Sequence, residues 1–151
     1  MERSSRTEIA LRSAQSADVP FLLQLRHQTM DRHLAASAVE MSEEEHLRRV
    51  LLRFECAQII LVDGKPSGLL KVARDEKSWH LIQIQVVPHL QGSGLGSRLL
   101  REIAAEARDA GASVELDVLK VNPARSLYER LGFVVTAENS HSFDMRLTID
   151  A

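Results

Sequence analysis

Residues 79–97 read Trp79-His80-Leu81-Ile82-Gln83-Ile84-Gln85-Val86-Val87-Pro88-His89-Leu90-Gln91-Gly92-Ser93-Gly94-Leu95-Gly96-Ser97. Two periods meet inside this stretch. From Trp79 to Val87 apolar and polar side chains alternate, which predicts a strand with Ile82, Ile84 and Val86 on one face and Gln83 and Gln85 on the other. Pro88 stops the strand, and a glycine-rich turn follows. From Gly94 the period becomes helical, with Leu95, Leu99, Ile103 and Ala107 on one stripe and Gly111 at the C′ position. A strand, a Gly-rich turn and an amphipathic helix in that order predict an α/β fold.

Working outward, Ile59 to Val62 and Leu69 to Ala73 are strands joined through Asp63-Gly64, a hairpin signal. With Trp79–Val87 they make an antiparallel meander. Upstream, Ile9 and Leu11 mark a first strand. Ser16 is the expected N-cap of a helix carrying Phe21, Leu22, Leu25 and Met30. Ser42 and Glu45 form an S-x-x-E capping box before Leu47, Val50, Leu51 and Phe54. Downstream, Val114, Leu116 and Val118 alternate as a strand. Pro123 opens a short helix ending near Leu131, with Gly132 as its stop. Phe133–Val135 and Phe143–Ile149 close the chain as strands. The predicted order is βααβββαβαββ, in a mixed sheet.

The 151 residues are 44% hydrophobic and 26% charged, which suits one domain over 1–151 and argues against wholesale disorder. Nineteen basic against 21 acidic side chains give no surplus for binding nucleic acid. The lone cysteine, Cys56, forbids an internal disulfide and points to a reducing, cytoplasmic setting; it reads as a small hydrophobe more readily than as a nucleophile. Met1 to Glu8 is polar, unlike a signal peptide, and no apolar run reaches the roughly 20 residues that span a bilayer. The six histidines and Cys56 show no metal-ligand spacing, so no metal is expected.

The glycine loop carries chemistry. Amides from Gly92 to Gly96 that converge on a helix N-terminus make a pyrophosphate site. The loop lacks the Lys-Ser/Thr of a P-loop, and Ser97 stands where a dinucleotide fingerprint has its third glycine. A nucleotide-binding domain is therefore disfavoured.

The segment Ile84–Gly96 resembles the acyl-CoA signature of the GNAT superfamily of N-acetyltransferases, Q/R-x-x-G-x-G/A. The block Asn122-Pro123-Ala124-Arg125-Ser126-Leu127-Tyr128-Glu129-Arg130-Leu131-Gly132-Phe133 resembles the family's N-x-x-A-x-x-L-Y-x-x-x-G-F stretch. The resemblance covers nearly the whole chain, with sharp motifs from 82 to 133. Two departures stand out. The Asn122–Tyr128 interval is one residue shorter than the commonest form. Many relatives also carry a glutamate on the strand before the loop, where Gln83 and Gln85 stand here; an amide cannot accept the proton.

The resemblance implies acetyl transfer from acetyl-CoA to a primary amine by direct attack. Its pantetheine arm would lie in a splay between Trp79–Val87 and Val114–Leu119, against the backbone of Ile84, Gln85 and Val86. The Val86 amide would polarise the thioester carbonyl. Gln91, Gly92, Ser93, Gly94, Leu95, Gly96, Ser97 and Asn122 would complete the acyl-CoA site. Tyr128 is the expected acid toward the departing thiolate, or else a packed tyrosine. Asp117 is the expected base, with water held by Gln83 or Gln85 as its rival, or else a solvated carboxylate. His80 and His89 flank the site.

Glu40 and Glu43 to Glu45 either draw in a cationic acceptor or, for the last three, favour a helix dipole. His27, Met30 and His33 either line the acceptor pocket or belong to a helix surface. The acceptor, a small-molecule or peptide amine, is not specified, and a homodimer is compatible with the sequence. The alternative function is an acyl-CoA-binding sensor or interaction module with weak turnover.

Overall fold

Strand β1, Ile9–Ser13, leaves the sheet through a turn held by Asp18. Its carboxylate accepts the Gln15 N–H at 2.8 Å and both Arg12 guanidinium nitrogens at 2.9 Å. This turn, and not a Ser16 cap, starts the helical segment: Ser16 is the first residue of a 3-10 turn, Ser16–Asp18. The computed structural model describes residues 8–36 and 42–148, and the side chains of these apart from 30–36.

Helix α1, Val19–Ala36, follows directly, and α2 is Glu43–Leu51. Ser42 caps α2 by accepting the Glu45 N–H at 3.1 Å. The capping box is only half made, because Glu45 turns its carboxylate to Arg48 and Arg49. Strands β2, Ala57–Val62, and β3, Lys65–Asp75, form the expected hairpin. Asp63 and Gly64 both have positive φ, 52° and 84°, the type I′ geometry that matches strand twist.

β3 is longer than Leu69–Ala73 and contains Pro66. The proline is tolerated because it lies past the end of the pairing with β4, Ser78–Val86, which stops at Gly68–Val86. Gly68 itself is fixed by close approach: a Cβ there would sit 2.4 Å from the Gln85 carbonyl oxygen.

One irregularity in β4 corrects the alternation read from the sequence. Lys71 pairs with Gln83, yet Val72 pairs with Leu81, so Ile82 is a bulge. Trp79 and Leu81 therefore share the core face with Ile84 and Val86. Gln83 and Gln85 face the other way, opposite Lys71 and Leu69, on the side covered by α1 and α2.

Helix α3, Leu95–Asp109, crosses the sheet to β5, Ser113–Leu119. Gly111 (φ 73°) ends it, and the Ala112 N–H closes back to the Ala107 carbonyl at 2.7 Å. Helix α4, Ala124–Arg130, leads to β6, Val134–Glu138, and β7, Ser142–Leu147. The end expected for β7, Ile149, lies outside the described residues. The seven strands run β1-β2-β3-β4-β5-β7-β6, with β4 and β5 parallel and every other neighbour antiparallel. The helix and strand order is the one read from the sequence.

Two apolar cores flank the sheet. The larger joins Leu95, Leu99, Leu100, Ile103 and Ala107 of α3 to Val114, Leu116 and Val118 of β5. The smaller packs Leu22 and Leu25 of α1 and Val50 of α2 on Ile59 and Leu69.

Candidate active site

The parallel pairing of β4 with β5 is short: Ser78–Leu81 against Ser113–Leu116. Beyond it, β5 keeps β7 as its neighbour and β4 keeps β3, so the two strands part. Among the described residues the β4 edge from Ile82 to Val86 has no strand partner on this side. Which backbone groups face the gap follows from alternation. The Val87 N–H donates to the Ser67 carbonyl of β3 at 2.9 Å. The N–H groups of Val86 and Ile84 therefore point away from β3, into the gap. The Val86 carbonyl points there too and accepts the Gln91 Nε2–H at 3.1 Å. Gln91 thus fastens the glycine loop to the strand. The Gln85 backbone faces β3, so only its side chain is offered to the gap.

The loop after β4 ends in an uncapped helix. Gly92 and Gly94 have φ of 80° and 90°, which suits glycine alone, and Gly94 is the N-cap of α3 without a side-chain cap. The first α3 amide with a helical partner is Arg98, bonded to the Gly94 carbonyl at 3.0 Å. Among the described residues the amides of Gly92, Gly94, Leu95, Gly96 and Ser97 have no backbone acceptor. A Cβ on Gly92, Gly94 or Gly96 would meet nothing within 4 Å. Open amides, the positive end of a helix and free space together favour an anion. Ser93 Oγ donates to the Leu90 carbonyl, and Ser97 Oγ accepts Arg101 Nη1–H at 2.6 Å, so both hydroxyls organise the loop.

A cleft of about 760 Å³ joins the strand edge to the loop and to α4. Ile84, Gln85, Val86, Gln91, Gly92, Gly94, Gly96, Ser97, Asn122 and Tyr128 line it. Asn122 Oδ1 accepts the Ala124 N–H at 2.9 Å, fixing the start of α4 and so the position of Tyr128. Tyr128 is buried with its ring 5.8 Å from that of Phe133, and its hydroxyl has no hydrogen-bond partner among the described residues. Burial pushes its pKa up to about 12.

Asp117 stands apart from these. It pairs with Asp144 across β5 and β7, on the sheet face away from α3, and does not line the cleft. Burial raises its pKa, and the hydrogen bond and charge of Asp144 raise it further, while His80 lowers it. His80 is half-buried beside Glu115, and His89 is exposed on the turn after β4. The acidic turn of α2 is engaged locally: Glu43 pairs with His27 at 2.8 Å and Glu45 with Arg49 at 3.1 Å. Glu40 and the side chains of Met30 and His33 lie outside the described residues. The lining also includes Gln28, Thr29, Leu100 and Val121, which the sequence reading did not single out, and Arg130, which it placed only in the α4 block. Gln28 and Thr29 had a signal, because they interrupt the stripe continuing from Leu22 and Leu25.

The Acetyltransferase (GNAT) family model matches residues 22–133, which span the glycine loop and the α4 block. The chain belongs to the GNAT acetyltransferase family. It is an acyltransferase by that membership. Thialysine N-epsilon-acetyltransferase of Sus scrofa is 30% identical over 155 residues, covering 89% of this chain and 91% of the relative. A tRNA(Met) cytidine acetyltransferase of Aeropyrum pernix is 40% identical over 63 residues, and that match spans 41% of this chain and only 8% of the relative. The PaiA N-acetyltransferase of Thermoplasma acidophilum, solved in complex with coenzyme A, shares the fold with a TM-score of 0.73 at 17% identity, over 93% of this chain and 99% of that one. Among the described residues no cluster of His, Cys, Asp and Glu can hold a metal ion, and no helix is long and apolar enough to cross a membrane.

Proposed function

We propose that this acetyltransferase moves an acetyl group from acetyl-CoA to a primary amine by direct attack. The observation that carries the reading is one cleft that joins an unpaired strand edge, an uncapped helix N-terminus and a buried tyrosine. These suit the parts of acetyl-CoA in turn. The amide-bearing pantetheine arm fits the Ile84–Val86 edge as an added strand. The diphosphate fits the amides of Gly92 to Ser97. The Val86 N–H then donates to the thioester oxygen as charge builds there.

Two proton movements complete the transfer. An alkyl ammonium with a pKa near ~10.4 must lose a proton before it attacks. Asp117, outside the cleft lining, takes that proton through water; the rival is a water chain held by Gln83 or Gln85 that acts without it. Tyr128 gives its proton to the departing thiolate. That the Sus scrofa relative is named an N-epsilon-acetyltransferase supports an amine acceptor. A second reading, a CoA-binding module without turnover, draws on Gln83 and Gln85 standing where relatives hold a glutamate. Thiol release from acetyl-CoA across an amine library, with CoA binding measured by calorimetry, decides between them. Release with at least one amine is expected; CoA binding with no release from any amine would establish the module instead.

A further inference from the structure

Gln85 is 6% exposed, and among the described residues neither its Nε2 nor its Oε1 has a hydrogen-bond partner. A buried amide left unpaired destabilises the free protein, so such groups are uncommon without a purpose. This one lines the cleft, on the α1 side of the sheet, in company with Gln28 and Thr29. The Thr29 hydroxyl is already donated to the Leu25 carbonyl at 2.9 Å. Among the described residues that line the cleft there is no carboxylate, and Arg130 is the one charged side chain. Among those residues a second ammonium on the acceptor finds no counter-ion.

We propose that Gln85 selects the acceptor by its amide: the substrate is an amine that carries a neutral, peptide-type amide close to the reacting nitrogen. A carboxamide offers one acceptor oxygen and two N–H donors. An ammonium satisfies only the oxygen, and a carboxylate satisfies only the N–H groups. An amide presents C=O and N–H side by side and satisfies both at once. The proposal rests on the acetyltransferase reading and adds to it the chemical class of the acceptor.

The test compares alaninamide, alanine methyl ester and propylamine as acceptors, in wild type and in Gln85→Met. The ester keeps the carbonyl and loses the N–H; propylamine lacks both. Wild type is expected to favour alaninamide over the ester at least tenfold in kcat/KM. In Gln85→Met that ratio falls to about twofold or less, since methionine keeps the length and offers neither bond. A tripeptide beginning with alanine sorts peptide chains from small amides, both showing the preference over the ester. Because no described protein group pairs with the buried amide, Gln85→Met is also expected to melt about 2–4 °C higher. A third readout needs no turnover: the Gln85 side-chain NH₂ resonance, with CoA bound, moves on adding alaninamide and not on adding the ester. Thiol release without an amide preference, or a preference that survives Gln85→Met, overturns the proposal and leaves the transferase reading intact. A lower melting temperature in the variant overturns it too, because the amide is then held in the free protein. No release with any amine, alongside a resonance that moves, sinks the transferase reading and upholds the amide site.

Discussion

At Tyr128, burial decides which role the phenol can take. A pKa pushed up to about 12 keeps the hydroxyl protonated at neutral pH, which suits a donor and not a base. The sign for stability follows: the contribution of the neutral phenol is present below the unfolded value near 10 and is lost only as pH rises through about 12. An alkaline fall in activity below pH ~10 therefore belongs to another group. Tyr128→Phe keeps the ring against Phe133 and removes only the hydroxyl. We expect kcat to drop roughly 10- to 10²-fold with little change in acceptor KM, read where chemistry limits the rate. A Phe variant with wild-type kcat makes Tyr128 a packing residue. Asp117 allows a paired experiment. If it is the base, Asp117→Asn lowers kcat roughly 10²-fold. Asp144→Asn removes a hydrogen bond and a like charge that raise the Asp117 pKa, so the acid limb of kcat/KM should move to lower pH. The linkage sign agrees: a carboxyl raised above its ordinary 3.8 contributes stability below that value and loses it as pH rises through the raised one. Asp144→Asn should thus gain stability at pH 7 relative to pH 4 in urea titrations. Tyr128 was legible in the sequence because its neighbours form a local motif; the unpaired state of Gln85 was not, because it depends on what α1 and β3 bring over it.

Between elements, Lys71 holds more than its place in the alternation suggests. It is 1% exposed, and its ammonium donates to the carbonyls of Arg49, Val50 and Leu52 at 2.7–3.1 Å. The side chain of a central strand thereby satisfies the C-terminal end of α2, where no helical N–H follows. Nothing in the sequence pairs residue 71 with residues 49–52, so this tie was illegible; the local cap, Ser42, was read correctly. The bulge at Ile82 was equally hidden, since alternation in one strand cannot show a slip against its neighbour. Burial, and then the charge of Arg26, lower the Lys71 pKa to about 8. A lowered lysine binds its proton less well folded than unfolded, so stability should rise from pH 8 toward 10 and be lost again as pH falls through about 8. Lys71→Met leaves buried carbonyls unpaired, which costs roughly 1–3 kcal/mol. Urea titrations at pH 7 and 9 should show that loss at both pH values and no pH-dependent gain in the variant. Equal stability of wild type and variant would mean that the three carbonyls find other partners.

Across the whole molecule, the sheet is nearly two sheets. β1 to β4 with α1 and α2 meet β5 to β7 through four parallel pairs, with α3 packed across the junction. The glycine loop could be read locally, from positive-φ residues and a helix start. The splay could be reached only through the family resemblance, because it arises when β5 leaves β4 for β7, a strand some 30 residues further on. A ligand that bridges the gap should therefore stabilise the fold as a unit. With acetyl-CoA at about 100 times its Kd, mass action contributes about 2.7 kcal/mol. For a chain of this size that is a rise of roughly 5–10 °C in melting temperature. Gly94→Val places a branched side chain at φ 90° and should weaken binding at least tenfold, about 1.4 kcal/mol, roughly halving the rise at the same concentration. The valine also strains the free protein, so each shift is measured against the variant's own ligand-free melting point. Gly96→Val supplies the unstrained counterpart: Gly96 has no positive φ, and a Cβ there points into the same open space. If the amides of α3 hold the diphosphate, both variants show the reduced ligand-induced rise, and Gly96→Val does so with a ligand-free melting point near wild type. A full rise in folded Gly96→Val would place the diphosphate elsewhere.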